Sequence, residues 1–195
     1  RLNSPFDSTF NIDRQREQRI LPRIADEALA PEAGFCQAGQ GILVTKFVDG
    51  KILDDHSRAD SHISGQVSTI IKRLRKIDIP TPRFNYWHHL CHYRNQIIDR
   101  NVAIPAELEH LYRQYQKPLQ IFNEANWRPA LVHHDLTPAN LIASDTGLIL
   151  IDWEYSAMGY SGFDDVRWID SKDPFREELK AYTDLIDSYW SLLNR

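Results

Sequence analysis

Residues 131–140 read LVHHDLTPAN and residues 148–154 read LILIDWE, with SDTG between the second apolar run and the third. An apolar run that ends in His-Asp, followed by a proline, an asparagine and two further apolar runs, predicts a short strand, a loop and a β-hairpin. If Ser144 to Gly147 form the hairpin turn, Ala143 faces Leu148, Leu141 faces Leu150, and Asn140 lies across from Ile151, diagonal to Asp152. Asp135 leaves the first strand five residues before Asn140, and Pro138 stiffens the turn between them. Two carboxylates and one amide oxygen are therefore expected to converge on one cavity.

That donor set is hard oxygen. It suits Mg²⁺, which takes one or two protein carboxylates, keeps several waters and shares substrate phosphates. A carboxylate not engaged by the metal can accept the proton of an attacking hydroxyl. The expected division is Asp135 as base, with Asn140 and Asp152 as metal ligands. Any one of these residues could equally be an ordinary turn residue, since Asp and Asn are common in turns; the combination carries the reading.

The rest of the chain sets the context. It has 195 residues with 42% hydrophobic, 26% charged and 11% aromatic side chains, the composition of a folded globular protein rather than a disordered one. A net charge of −4 from 23 basic and 27 acidic residues gives no reason to expect nucleic acid as a partner, and the basic run at 72–76 reads as a solvated helix face. Two cysteines, Cys36 and Cys91, make no disulfide framework and suit a reducing compartment, with cytoplasm the default. No apolar run approaches the roughly 20 residues of a membrane helix, so membrane insertion is not expected. The chain opens on Arg1 rather than methionine and reads as one entered partway through.

Helices are expected at 13–29, capped by Asp13 and kinked at Pro22, and from about Ser57 through Leu74, ending before IDIPTP. Further helices are expected in 83–100, at 105–123 and at about 174–193. Strands at 33–37 and 41–47 flank AGQG, with Ile42, Leu43 and Val44 as a core run. No internal repeat is present.

VHHDLTPANLI followed by LILIDWEYSAMGYSGFDDVRW resembles the choline kinase, thiamine kinase and aminoglycoside phosphotransferase group, most closely over 130–168. The resemblance implies an α+β, protein-kinase-like two-lobe fold with a mostly helical C-terminal lobe, small β hairpins and an incomplete N-terminal lobe. On it, residues 1–48 are the remnant of the small nucleotide-binding lobe and hinge, and 49–195 the large catalytic and substrate lobe. It implies ATP as co-substrate and a small, cationic alcohol as acceptor, choline or ethanolamine ahead of thiamine, with aminoglycosides further away. Asp135 falls on the base of the family's H-x-D, and Asn140 and Asp152 on its metal ligands, with D-W-E in place of the protein-kinase D-F-G. Nucleotide contacts are carried over to Arg1, to Glu17 as its helix partner, and to the backbone of Thr45, Lys46, Phe47 and Val48. Glu154 becomes a supporting residue near metal or substrate, and Asp164 an anchor behind the loop. The family's glycine-rich phosphate loop belongs before Arg1. A non-catalytic kinase-like binding module is the rival from another class; it predicts loss of Asp135, Asn140 or Asp152, and all three are present.

Trp153, Tyr155, Tyr160 and Trp168 crowd the stretch after the metal ligand, and ring faces attract an organic cation by about 0.5–2 kcal/mol per contact. They are candidate substrate-binding residues, with core packing as the alternative for each ring. In WHHLCHYRN, His88 and His92 stand four apart, but position 89 is His where a zinc metalloprotease needs Glu. Helix packing or substrate-side lining is the expectation there. His133 is read as a brace for the loop rather than a catalyst.

Overall fold

A computed structural model describes residues 2, 7–168 and 172–194. Helix α1 runs Arg14–Asp26 and starts where expected: the Asp13 side chain accepts the Arg16 N–H, and Ile20, Leu21 and Ile24 form the buried stripe. It ends earlier than the apolar pattern suggests. Ala28 takes a left-handed φ of 52° and the Leu29 N–H bonds back to the Ile24 carbonyl, closing the last turn.

Strands β1 (Ala33–Gln37) and β2 (Ile42–Thr45) form the antiparallel pair expected around AGQG, with Gly41 left-handed at φ 66°. Their placement differs from expectation. Ile42 and Leu43 are half-buried and Val44 is 52% exposed, so this run is not core. In a two-stranded ribbon, side chains alternate between faces, and only Leu43 and Cys36 pack against the adjacent cluster.

After the two-residue strand β3 (Lys51–Ile52), a 3₁₀ turn at Asp55–Ala59 capped by Asp54 delays helix α2 to Ser61–Leu74, where Asp60 caps the His62 and Ile63 amides. Helices α3 (Tyr86–Asp99), α4 (Ala106–Glu124) and α6 (Arg176–Leu193) sit where periodicity puts them. Strands β4 (Pro129–Val132), β5 (Leu141–Ser144) and β6 (Gly147–Leu150) are also legible, and the predicted hairpin register holds: Leu141 opposes Leu150 and Ala143 opposes Leu148. Strand β7 (Ala157–Tyr160) and the short helix α5 (Phe163–Trp168) were not foreseen. β3, β5 and β6 make one antiparallel sheet and β4 and β7 another.

The β4–β7 pair lies between two apolar clusters. Leu131 and its partner Met158 enter a cluster built from α1, α2 and the hairpin; Val132 and its partner Ala157 enter a second, aromatic-rich one built from α3, α4 and α6. Burial on both faces anchors the start of the 133–140 loop, so the side chains it carries are presented from a rigid base.

Candidate active site

The loop is held by its histidines. His133 is fully buried; its Nδ1 accepts the Asp135 N–H at 3.2 Å, so the ring proton lies on Nε2, which donates to the Ile151 carbonyl at 3.0 Å. Burial pushes its pKa down to about 4, keeping the ring neutral and in that tautomer. His134 takes a left-handed φ of 66° and is likewise held neutral by burial, donating from Nδ1 to the Tyr155 carbonyl and accepting the Tyr86 hydroxyl at Nε2. Gly159 on β7 permits this approach, because a Cβ there would come within 2.6 Å of both His134 Nε2 and the Tyr86 hydroxyl.

Asp164 of α5 closes the arrangement from behind. Its carboxylate is buried and accepts the backbone N–H groups of His133 at 2.8 Å and His134 at 3.2 Å. The anchor expected behind the loop is therefore in place.

The Asp135 carboxylate faces a cavity of about 290 Å³. Its Oδ2 accepts Asn140 Nδ2 at 2.8 Å, and its Oδ1 accepts Arg167 Nη2 at 3.0 Å. Burial raises its pKa above the ordinary carboxylate value, while Arg167 and Asn140 oppose that rise. Asn140 also donates to the Asp135 carbonyl at 2.8 Å, and its own carbonyl accepts the Ile151 N–H at 2.9 Å. That bond extends the hairpin one step past its last pair and sets Asp152, left-handed at φ 61°, on the cavity wall. Left-handed backbone at two non-glycine residues, His134 and Asp152, concentrates strain where the chain turns its functional groups inward.

The donor set fits Mg²⁺. With Nδ2 turned to Asp135, the amide oxygen of Asn140 and the exposed carboxylate of Asp152 are hard oxygens that could hold it. No cluster of three or more His, Cys, Asp and Glu that could hold a metal occurs among the described residues, which is not the ligand set Mg²⁺ requires.

The structure sorts the expected substrate residues. Glu154 and Tyr155 line the cavity. Trp153, Tyr160 and Trp168 do not: Trp153 is buried with its indole N–H on the Leu150 carbonyl, Tyr160 bonds Asp173, and Trp168 packs under Arg58 with its ring 4.7 Å from the guanidinium. The cavity's other rings come from distant elements, among them Phe84, Tyr93, Tyr182 and Trp190. His89 also lines it, buried and neutral, its Nδ1 sharing a hydrogen bond with the Tyr182 hydroxyl at 2.7 Å. His89 and Tyr93 fall in WHHLCHYRN, for which helix packing or substrate-side lining is the expectation, whereas nothing local in the sequence marks Tyr182 and Trp190 on α6, which the fold brings in from far along the chain. Arg167 was legible in principle: it stands three residues after Asp164, on the same helical face.

Of the expected nucleotide contacts, Arg1 lies outside the described residues. Glu17 is buried and accepts Arg14 Nη1 at 2.9 Å; the same nitrogen reaches Glu154 at 2.9 Å, and Asp7 takes the rest of the guanidinium, so Arg14 ties α1 to the cavity wall. Thr45, Lys46, Phe47 and Val48 do not line the cavity. The Lys46 N–H is engaged by the Glu32 carbonyl, and the Phe47 side chain is 91% exposed.

The fold, a mostly helical body with small antiparallel sheets, presents a cavity lined by carboxylates and aromatic rings. The chain belongs to the choline/ethanolamine kinase family, whose sequence model matches residues 4–169. Among curated relatives, it is 26% identical over 132 residues to the Protein LicA homolog of Mycoplasma capricolum, covering 66% of this chain and 53% of that protein. It is 23% identical over 177 residues to a probable ethanolamine kinase of Arabidopsis thaliana, covering 84% and 46%. The chain thus spans about half the length of these relatives. Choline kinase LicA from Streptococcus pneumoniae superposes with a TM-score of 0.76 at 20% identity, over 99% of this chain and 76% of that one. No helix among the described residues is long and apolar enough to cross a membrane.

Proposed function

We propose that this chain is the catalytic lobe of an ATP- and Mg²⁺-dependent phosphotransferase acting on the hydroxyl of a small cationic alcohol, choline or ethanolamine. The observation that carries the reading is the joint presence, on one cavity wall, of Asp135, Asp152 and Glu154 beside the rings of Tyr93, Tyr155 and Tyr182. Carboxylates and π-faces attract an organic cation, and family membership supports alcohol phosphorylation.

The Asp135 carboxylate accepts the hydroxyl proton as the acceptor oxygen bonds to the γ-phosphorus and the bond to the ADP leaving oxygen breaks. Asn140 and Asp152 would hold Mg²⁺, which supplies charge stabilisation on the transferred phosphoryl group. His133 and Asp164 keep the loop in register with the hairpin. Thr45 to Val48 would meet adenine by backbone, Phe47 and Val48 being the positions beyond the engaged Lys46 amide, and Glu17 would support the phosphate contacts of Arg1. The free Cys36 and Cys91 accord with a reducing compartment such as cytoplasm.

The test is to assay the whole protein carrying this sequence with ATP and Mg²⁺ against choline, ethanolamine, thiamine and an aminoglycoside, alongside Asp135→Asn. Turnover of choline or ethanolamine, reduced about 10²-fold or more by Asp135→Asn, is expected. Turnover of thiamine alone would move the substrate assignment. Activity surviving Asp135→Asn unaltered would sink the mechanism, and no turnover of any acceptor would favour the binding-module alternative.

A further inference from the structure

Arg167 is the residue at this site that neither the motif nor the metal chemistry accounts for. It belongs to α5, and its guanidinium bonds Asp135 Oδ1 through Nη2 at 3.0 Å and Asp187 of α6 through Nη1 at 3.2 Å and Nη2 at 3.3 Å. Its side chain is 12% exposed. One turn earlier on the same short helix, Asp164 grips the loop backbone. α5 therefore holds the loop at two points, backbone through Asp164 and side chain through Arg167.

The two donors to Asp135 arrive at different oxygens, Asn140 at Oδ2 and Arg167 at Oδ1. A carboxylate held at both oxygens cannot rotate about χ2, yet each oxygen keeps a second lone pair for an incoming hydroxyl. We propose that Arg167 is a positioning residue that fixes the Asp135 carboxylate for the acceptor hydroxyl, and that Asp187 in turn fixes Arg167. The inference rests on the reading of Asp135 as the base.

Arg167 also sets the charge of the cavity. Among its described lining residues Arg167 carries the one guanidinium, against the carboxylates of Asp135, Asp152, Glu154 and Asp187. Removing that charge leaves the wall more negative, so a cationic acceptor binds better while the base is held worse. A purely structural residue does not produce this opposition between KM and kcat.

The experiment is steady-state kinetics of the whole protein with choline and with its neutral isostere 3,3-dimethylbutan-1-ol, for wild type, Arg167→Gln, Arg167→Lys, Asp187→Asn and Asp135→Asn, with thermal melts to fix the folded fraction. Arg167→Gln is expected to lower kcat about 10-fold or more for both acceptors, and to lower KM for choline about threefold with KM for the isostere unchanged. Arg167→Lys keeps the charge without the fork, so it keeps the wild-type choline KM and recovers part of kcat. Asp187→Asn lowers kcat less, and adding it to Arg167→Gln costs nothing more, as for two links of one chain. A kcat for Arg167→Gln within twofold of wild type, or a raised choline KM, overturns the inference. If Arg167→Gln does not fold, Arg167→Lys and Asp187→Asn decide: wild-type kcat in both overturns it. Full activity in Asp135→Asn defeats the functional reading instead, and so separates the two failures.

Discussion

His133 on the loop donates its Nε2 proton to the carbonyl of Ile151, the residue just before Asp152, at 3.0 Å. One buried ring thereby ties the loop that carries Asp135 to the segment that leads into Asp152. Because Nδ1 is at the same time occupied by the Asp135 N–H, the imidazole has no open nitrogen left for proton transfer.

His133→Ala removes both bonds and leaves a cavity beside Trp153, whose ring packs edge-on at 4.7 Å. The expected loss is about 2–4 kcal/mol, a fall of several degrees in Tm for a chain of this size. Thermal melts check it. A loss below about 0.5 kcal/mol would mean that water replaces the ring without cost and that the brace is not one.

Arg14 and Lys46 separate a buried ion pair from an exposed one. Arg14 is 10% exposed and serves Asp7, Glu17 and Glu154, so Arg14→Met withdraws one shared, mostly buried cation from three carboxylates and is expected to cost about 3–5 kcal/mol. Lys46 and Glu32 are 69% and 64% exposed, and Lys46→Ala is expected to change stability by less than about 0.5 kcal/mol. Denaturant titrations of the two variants, compared at equal m-value, test the contrast. Equal losses would refute it.

The aromatic residues after Asp152 divide in the same way. Tyr155 lines the cavity, whereas Trp168 is packed between Arg58 and the Ser64 hydroxyl. Tyr155→Ala is expected to raise the choline KM about 3- to 30-fold with little change in Tm. Trp168→Ala is expected to cost about 3–5 kcal/mol in stability and leave the KM of the folded enzyme within about twofold. Kinetics at a temperature well below both melting points reads this out, and a KM unmoved by Tyr155→Ala would remove that ring from the acceptor site.

These contrasts show where the sequence was legible. The meeting of Asp135, Asn140 and Asp152 could be read because a hairpin has period two and a short turn leaves one register. Helix α1 could be read because Asp13 sits next to an apolar stripe, while the Asn85 cap of α3 is seen only in the structure. β7 could not: Ala157 to Tyr160 is buried throughout, so it shows no alternation. Ile42 to Val44 misled for the opposite reason, an apolar run on a ribbon that the described residues leave largely uncovered. The four rings close to Asp152 in sequence are mostly core, while Tyr93 and Tyr182 enter the cavity from α3 and α6; helix periodicity reports that a ring is buried, not which cavity it faces.

Asp164 supplies a pH dependence whose sign is fixed by burial. Desolvation pushes its carboxyl up to about 6 from 3.8, against the two loop amides that favour the anion. The folded protein therefore holds this proton more tightly than the unfolded chain. The associated stability is fully present below pH 3.8 and is lost as pH rises through about 6, up to about 3 kcal/mol in all. Asp164→Asn has no proton to lose, and its Nδ2 cannot accept the second loop N–H, which adds a constant cost of about 1–3 kcal/mol. The wild type is thus expected to exceed Asp164→Asn in stability by most at acid pH, with the gap narrowing between about pH 4 and pH 7. Paired urea titrations across that range measure the gap directly. A gap that widens with pH would mean that the amides outweigh burial and that the loop is gripped by an anion with an ordinary or depressed pKa.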